Sequence, residues 1–305
     1  MVRRLLPLAL QGTWRGGIVY QLQVGSRVSS SLYVRLVDQS MEERDSRFRR
    51  LTLPTPLLPT NIDAQEDCYA AIQWLADPGA SGSEIPAHAD RSRVAVVGDS
   101  AGGYLTLTTC ALARSRGLRG LQIRSQILLC PATWCRPNFA ASRTGPHSRS
   151  LVLSEAMMRF YEASYKPSGM SEAEFAAEAN LLHEDGRWRI QGAPATTLVL
   201  AGADVLRDEG RRLWHLLADA AEAEAGLGLE AGARGGRDAS VPSDGGGGGS
   251  GGARNPSVLM MEFPGQEHDF VLLPGVVPAS AAAGRFVLRR LRDALAGPGF
   301  RASRL

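Results

Sequence analysis

The chain has 305 residues, of which 44% are hydrophobic and 21% are charged. No apolar run reaches the ~18 to 20 residues that cross a bilayer, so we expect one globular domain over residues 1–305 and no integral membrane association. The formal net charge of +3 comes from arginines spread along the chain, with Lys166 as the single lysine, which argues against nucleic-acid binding.

The N-terminus and the cysteines indicate a cytoplasmic protein. Residues 1–10 have a basic start, but their apolar stretch is interrupted by a proline and is shorter than a secretory signal needs. No two cysteines form a C-x-x-C pair, and three of the four lie in predicted helices or strands, where cysteine is usually a small buried hydrophobic residue. They are Cys68, Cys110, Cys130 and Cys135. We therefore expect reduced thiols.

Strands and helices alternate along the chain. This order predicts an α/β fold, in which a mostly parallel sheet is covered by helices on both faces and the active site lies at the carboxyl edge of the strands. Residues 20–50 fit neither a strand nor an amphipathic helix well, so we expect the sheet to lack early strands. The β-rich runs are 94–97, 123–130, 197–201 and 258–263, and the main helical runs are 104–113, 209–221 and 279–295.

Two segments interrupt this alternation. Residues 132–186 hold no clear strand and include two helix-like pieces, which open with the N-cap candidates Ser154 and Ser171. We interpret the segment as a helical cap inserted over the site, and two ordinary surface helices are the alternative. Residues 226–256 contain a long glycine tract that predicts a flexible surface loop.

A nucleophile elbow is predicted at residues 98–103, which read Gly-Asp-Ser-Ala-Gly-Gly between an apolar run and a helical one. Small residues around Ser100 let the backbone turn sharply from strand to helix, which exposes the hydroxyl. Ser250 lies in a similar G-x-S-x-G pattern, but no strand precedes it and no helix follows it. Ser100 is therefore the candidate nucleophile, with an ordinary strand-to-helix turn as the alternative.

A serine nucleophile needs a base, a carboxylate that orients the base, and donors for the oxyanion. Asp204 directly follows the β-rich run 197–201, which makes it the candidate acid. Asp208 and Glu209 fall where the next helix begins, so we expect them to cap that helix and complement its dipole.

His268 is the candidate base. It follows the run 258–263 through a short loop, a position from which an imidazole could reach both the serine and the acid. His215 lies in a predicted helix, where a histidine is more often packed or solvated than catalytic. The remaining histidines precede the acid and are expected at the surface: His88, His147 and His183.

Three motifs together resemble the hormone-sensitive lipase and arylacetamide deacetylase branch of the α/β-hydrolase esterases. They are the elbow at 98–103, D-V-L-R-D-E-G at 204–210 and Q-E-H-D-F at 266–270, and a helix at 67–75 is similar as well, so the resemblance covers roughly residues 50–297. It implies an α/β-hydrolase fold with a helical cap.

The resemblance also implies an activity. It implies a carboxylester hydrolase that works through Ser100, His268 and Asp204 and an acyl-enzyme, without a metal or organic cofactor. The habits of the family imply a small or short-acyl ester as the substrate, such as an ester of a secondary metabolite.

The chain departs from the family at the oxyanion hole. Ala101 follows the nucleophile and offers one amide, but the H-G-G-G motif of the family is missing. Gly16 and Gly17 are the nearest match, and we expect a degenerate or truncated N-terminal region. Two alternatives stay open: a silent hydrolase fold that binds a small apolar ligand, and a thioesterase or peptidase on the same fold.

Overall fold

A seven-stranded sheet forms the centre of the part of the chain that the computed structural model describes, which comprises residues 18–23, 31–38, 48–51, 63–77, 89–133, 141–150, 152–166, 169–226 and 257–296. The order of the strands across the sheet is β3-β1-β2-β4-β5-β6-β7. The strands are β1 Ile18–Gln23, β2 Ser31–Asp38, β3 Phe48–Leu51, β4 Ala89–Asp99, β5 Ile123–Leu129, β6 Ala195–Ala201 and β7 Val258–Phe263.

The sheet is mostly parallel, as predicted. Strands β4 to β7 are parallel to one another and β3 is parallel to β1, whereas β2 runs antiparallel to both β1 and β4. Because the last four strands run in one direction, their carboxyl ends meet at one edge of the sheet. The loops after β4, β6 and β7 therefore lie close together.

The described helices are α1 Asp63–Ala76, α2 Ala101–Arg116, α3 Ala141–Thr144, α4 Glu155–Tyr165, α5 Glu172–Ala179, α6 Arg207–Gly226 and α7 Pro278–Leu295. Short 3-10 helices span Pro146–Arg149, Glu184–Arg189 and Phe270–Leu272. Among the described residues, none of the helices is long and apolar enough to cross a membrane.

Helices cover both faces of the sheet, because neighbouring strand residues point in opposite directions. Leu198 of β6 belongs to the core under α1, α2 and α6, whereas the next residue, Val199, belongs to the core under α7. From the helices, Ile72 of α1 belongs to the first core and Val287 of α7 belongs to the second. The three cysteines in the described part, Cys68, Cys110 and Cys130, are buried as free thiols, and Cys135 lies outside it.

The expectation that residues 20–50 hold no strand is wrong. Strands β1, β2 and β3 all have residues in this range. The stretch 31–38 reads S-L-Y-V-R-L-V-D, in which Leu32, Val34 and Leu36 recur at the two-residue period of a strand. The polar and charged residues on either side of this stretch obscured that alternation.

The described part of residues 132–186 contains helices and no strand. Both predicted N-caps are confirmed: the hydroxyl of Ser154 accepts a hydrogen bond from the amide of Met157, and Ser171 forms a capping box with Glu174. Gly226 ends α6, and the rest of the predicted glycine-rich loop lies outside the described residues.

A buried ionic cluster joins residues 132–186, the predicted cap segment, to helix α6. The guanidinium of Arg143, with a side chain that is 0% exposed, lies 2.8 Å from Glu155 and 2.7 Å from Glu162 on α4, and 3.7 Å from Glu209 on α6. The hydroxyl of Thr133, which follows β5, also donates to Glu209. Glu209 therefore does more than complement the dipole of α6, since it is a buried contact between the cap and the core.

Close packing between β4 and α2 explains the glycines of the elbow motif. A Cβ atom at Gly98 would lie 2.1 Å from the carbonyl oxygen of Gly102, and one at Gly103 would lie 2.8 Å from the Cβ of Pro131. Both distances are shorter than a van der Waals contact, so the helix can start directly above the strand only if these positions carry no side chain.

We predict that Gly98→Ala destabilises the protein by about 3 kcal/mol or more, because the new methyl group overlaps a backbone carbonyl. Gly284→Ala in α7 is the matched control, since a Cβ there meets nothing within 4 Å. A glycine-to-alanine change inside a helix should stabilise by roughly 0.5 to 1 kcal/mol. Urea unfolding of both variants measures the difference, and a Gly98→Ala protein as stable as the parent would contradict the packing described above.

We also predict a pH-dependent contribution of Glu209 to stability. Burial raises the pKa of Glu209 from 4.5 to about 7, although the charge of Arg143 and the hydroxyl of Thr133 oppose this shift. The folded state therefore holds a proton that the unfolded chain releases, and this contribution is lost as the pH rises through that range.

As the pH rises from about 4.5 to above 7, the free energy of unfolding of the parent protein should fall by about 3 kcal/mol relative to that of Glu209→Gln. Glu222→Gln removes an exposed carboxylate from the same helix and serves as the control. Urea unfolding at several pH values from 4 to about 8 tests this, and a constant difference between the parent and Glu209→Gln would refute it.

Candidate active site

Ser100 lies in a strained turn between β4 and α2. Its backbone has a φ of 55°, which is unusual for a residue with a side chain. Neighbouring backbone groups hold the turn: the amide of Ser100 donates to the carbonyl of Leu129 at 2.8 Å, and its carbonyl accepts from the amides of Gly103 and Ala132. The hydroxyl is thereby presented at the carboxyl edge of the sheet.

The structure brings Ser100, His268 and Asp204 together from the loops after three different strands. Nε2 of His268 lies 2.9 Å from the Oγ of Ser100, and Nδ1 lies 2.7 Å from an oxygen of Asp204. The other oxygen of Asp204 accepts from the amide of Leu206 at 3.0 Å. Asp204 and His268 are 1% and 6% exposed, so water competes little for these hydrogen bonds.

These contacts determine where the protons lie. A carboxylate can only accept, so Nδ1 of His268 carries a hydrogen and donates it to Asp204. Nε2 is then free to accept from the hydroxyl of Ser100. Burial lowers the pKa of His268, but the hydrogen bond and the charge of Asp204 raise it more, with further contributions from Asp269 and Asp99, so the net pKa is raised.

The charges of Asp99 and Asp269 act on His268, although the sequence motifs assign neither residue a role. Burial, together with the negative charge of Asp269, raises the pKa of Asp99 to about 7. The Oδ1 of Asp269 is 3.4 Å from Nε2 of His268. Both residues are immediate chain neighbours of candidate residues, which is the one signal that could have pointed to them.

The donor atoms of Cys130, His268 and Asp269 lie within 4.8 Å of one another, which is the kind of cluster that can hold a metal. Both nitrogens of the imidazole are already engaged with Asp204 and Ser100. Burial also raises the pKa of the Cys130 thiol well above its usual value, which disfavours the thiolate that binds metals. We therefore assign this cluster to the hydrogen-bonded site and not to a metal.

Of the predicted oxyanion donors, the structure describes only Ala101. Ala101 is the first residue of α2, and the first four amides of a helix have no partner within the helix. Its amide therefore lies next to the nucleophile and at the positive end of the helix dipole. Gly16 and Gly17 lie outside the described residues, and so does Ser250, the serine of the second G-x-S-x-G pattern.

The other acids and histidines occupy different positions. Asp208 accepts from the amide of Ser142 at 2.8 Å and pairs with Arg207 at 2.7 Å, so its carboxylate is engaged with the cap segment and the start of α6. His183 is exposed, as expected, and His215 is exposed on helix α6, where we expected a packed or solvated side chain; His88 lies outside the described residues.

His147 differs from the expectation that it lies at the surface. It is half-buried, and its Nε2 is 3.2 Å from Nη1 of Arg207. The same Nη1 donates to the carbonyl of Gly202, which begins the loop that carries Asp204. On the other side, the hydroxyl of Ser150 binds the carboxylate of Glu267, next to His268. The predicted cap segment is therefore linked through Arg207 to the loop of Asp204 and contacts the loop of His268 directly.

A surface cavity of about 480 Å³ lies elsewhere on the cap segment. Residues of α5, among them Glu174 and Glu178, and of the following 3-10 helix line it. None of the residues that surround Ser100 belongs to this lining, so we do not connect the cavity with the chemistry of the site.

Comparison with known proteins places these observations in a family. A family model for the alpha/beta hydrolase fold matches residues 59–230. The esterase LipI of Mycobacterium tuberculosis is 32% identical over 164 residues, which are 52% of this chain and 45% of LipI. The carboxylesterase NlhH of the same species is 30% identical over 162 residues, which are 52% of this chain and 46% of NlhH.

Solved structures agree in fold. A hyperthermophilic esterase from the archaeon Pyrobaculum calidifontis superimposes with a TM-score of 0.60 at 19% identity, covering 94% of this chain and 86% of the esterase. EstE1, a thermostable carboxylesterase cloned from a metagenomic library, gives a TM-score of 0.61 at 20% identity and covers 95% and 92% of the two chains.

The aligned region spans about half the length of the curated relatives that the chain matches. The resemblance to esterases of the hormone-sensitive lipase type is confirmed by these matches taken together. The family model matches more than half of the residues of this chain, and the chain therefore belongs to the alpha/beta hydrolase fold family.

Proposed function

We propose that this chain is a serine carboxylesterase in which Ser100 is the nucleophile, His268 the general base and acid, and Asp204 the residue that orients the imidazole. The observation that carries the proposal is the hydrogen-bonded series from Asp204 through His268 to Ser100, with distances of 2.7 and 2.9 Å. The names of LipI and NlhH, an esterase and a carboxylesterase, support the same class of reaction.

Acylation begins when the Oγ of Ser100 attacks the carbonyl carbon of the ester. A serine hydroxyl is a weak nucleophile, so Nε2 of His268 accepts its proton as the new C–O bond forms. The imidazole becomes a cation, and Asp204 stabilises it from the Nδ1 side. Nε2 then donates the proton to the departing alcohol, which leaves an acyl group on Ser100.

Deacylation repeats these steps with water. Nε2 of His268 accepts a proton from a water molecule, which attacks the acyl carbonyl, and then returns the proton to the Oγ of Ser100. The products are a carboxylic acid and the free enzyme. No metal or organic cofactor has a part in either half of this cycle.

The negative charge on the carbonyl oxygen needs fixed donors. We assign the amide of Ala101 to this role because it follows the nucleophile at the start of α2. Gly16 and Gly17 remain the proposed second source of donors. Because one such donor is worth about a hundredfold to a thousandfold in kcat, the rate will depend strongly on whether both sources contribute.

The substrate we propose is a small or short-acyl ester. The buried free thiols of Cys68, Cys110 and Cys130 support action in a reducing compartment such as the cytoplasm. A silent fold that only binds an apolar ligand would not require a base and an orienting acid in hydrogen-bonding order beside the serine. Cleavage of thioesters or peptides is the remaining alternative on the same fold.

We predict that the purified chain hydrolyses p-nitrophenyl acetate and butyrate and that Ser100→Ala lowers kcat by at least about a thousandfold, because the proposed acyl-enzyme forms on this hydroxyl. Ser250→Ala is the control, since this serine shares the G-x-S-x-G pattern but not the strand and helix around it. It should retain the activity of the parent.

Circular dichroism must show that all three proteins are folded before their rates are compared. Turnover that survives in folded Ser100→Ala would remove Ser100 from the mechanism. A folded parent without turnover on either ester would favour the silent fold, and thioester and peptide substrates would then separate the remaining alternatives.

A further inference from the structure

Asp269 has three features that the steps above do not use. It directly follows His268 in a left-handed backbone conformation with a φ of 56°. Its Oδ1 is buried and has no hydrogen-bond partner within the described part of the chain. That same oxygen lies 3.4 Å from Nε2 of His268, on the side of the ring that faces Ser100. A buried oxygen without a partner is costly, so its position calls for an explanation.

We propose that Asp269 is a positioning residue that stabilises the protonated form of His268 from its Nε2 side. This role rests on the proposed esterase function, because the catalytic cycle makes His268 a cation while a proton is in transit between Ser100 and the substrate. Asp204 would stabilise the cation at one nitrogen, and Asp269 would do so at the other.

The positive charge on His268 develops during the proton transfer. While Nε2 accepts the hydroxyl of Ser100 the imidazole is neutral, so the carboxylate of Asp269 gains little from its proximity. Once Nε2 has taken the proton of Ser100, the ring is positive and the Oδ1 of Asp269 lies next to the new N–H group. An interaction that strengthens only as the transition state is approached lowers the barrier instead of merely tightening binding.

The surrounding charges are consistent with this role. The groups that face the imidazole are Asp204, Asp269, Asp99 and the thiol of Cys130. The pKa of Asp269 is raised, because burial and the charge of Asp204 outweigh the opposing charge of His268, so protonation of the ring favours the carboxylate form. Asp99, whose pKa is about 7, can take up a proton near neutral pH and so relieve its repulsion of Asp269.

A purely structural role for Asp269 must be separated from this one. Asparagine tolerates the left-handed conformation and has nearly the same shape, so Asp269→Asn removes the charge and keeps the backbone preference. Glycine accepts the same conformation without strain, so Asp269→Gly serves as a second variant without the charge. Glu267→Gln is the matched control, because Glu267 is the chain neighbour on the other side of His268 and its carboxylate binds Ser150.

The experiment is the pH dependence of kcat/KM for p-nitrophenyl butyrate. In Asp269→Asn and Asp269→Gly, the acidic limb of the profile should move to lower pH by about 0.5 to 1, and the plateau should fall about threefold to tenfold with little change in KM. Glu267→Gln should leave the acidic limb where the parent has it. An unmoved limb with a uniformly lower kcat in both Asp269 variants would overturn the proposal and leave Asp269 a structural role.

A second measurement tests the proposal without turnover. The NMR titration of the imidazole of His268 in the intact chain reports its pKa directly, and Asp269→Asn should lower that pKa by about 0.5 to 1. If the parent does not hydrolyse esters but this shift is present, the esterase function fails and the electrostatic coupling stands. If the pKa of His268 is the same in the parent and the variant, the coupling itself is refuted.

Discussion

The close approach of β4 and α2 is the constraint on which the candidate site depends. A helix that begins directly at the end of a strand leaves no space for a side chain at Gly98, and it forces Ser100 into a backbone conformation with a positive φ. Strain of this kind persists only where neighbouring contacts hold it, and here β5 supplies them through the hydrogen bond from Ser100 to Leu129. The parallel order of the strands then places the loops that carry Asp204 and His268 beside the serine.

Two buried groups of charges extend from this edge of the sheet. One surrounds His268 with the carboxylates of Asp204, Asp269 and Asp99, and the other surrounds Arg143 with three glutamates. Each group places several carboxylates around one basic side chain. Because these carboxylates are buried, the pKa of one of them is raised in each group: that of Asp99 in the first and that of Glu209 in the second. In the first group the imidazole can gain and lose its charge, whereas in the second the guanidinium is permanently charged. The same physical arrangement thus serves the proposed chemistry in one place and the contact between residues 132–186 and α6 in the other.

Local patterns explain why much of the fold could be predicted. The alternation of β-rich and helical runs from residue 94 onward reflects parallel strands that are covered on both faces, and the serines that begin α4 and α5 are capping signals that depend only on nearby amides. Strand β2 was missed because its alternation is short and lies between polar and charged stretches.

The site was predictable to the extent that its residues follow strand ends. Ser100, Asp204 and His268 each come directly or soon after a parallel strand, and this position brings them together in space. Arg143 follows no such rule, and Asp269 follows it only as the chain neighbour of His268. Glu209, which contacts Arg143, is far from it in sequence, and the unpartnered Oδ1 of Asp269 likewise appears only in the folded protein.

The most direct test of the account is to map the residue that a fluorophosphonate labels, since this reagent reacts only with a serine that a neighbouring base activates. Labelled protein is digested and the modified peptide is identified by mass spectrometry, for the parent and for His268→Ala. The account predicts one adduct, on Ser100, that is lost when the imidazole is removed. An adduct on another serine, or labelling of Ser100 that does not depend on His268, would contradict it.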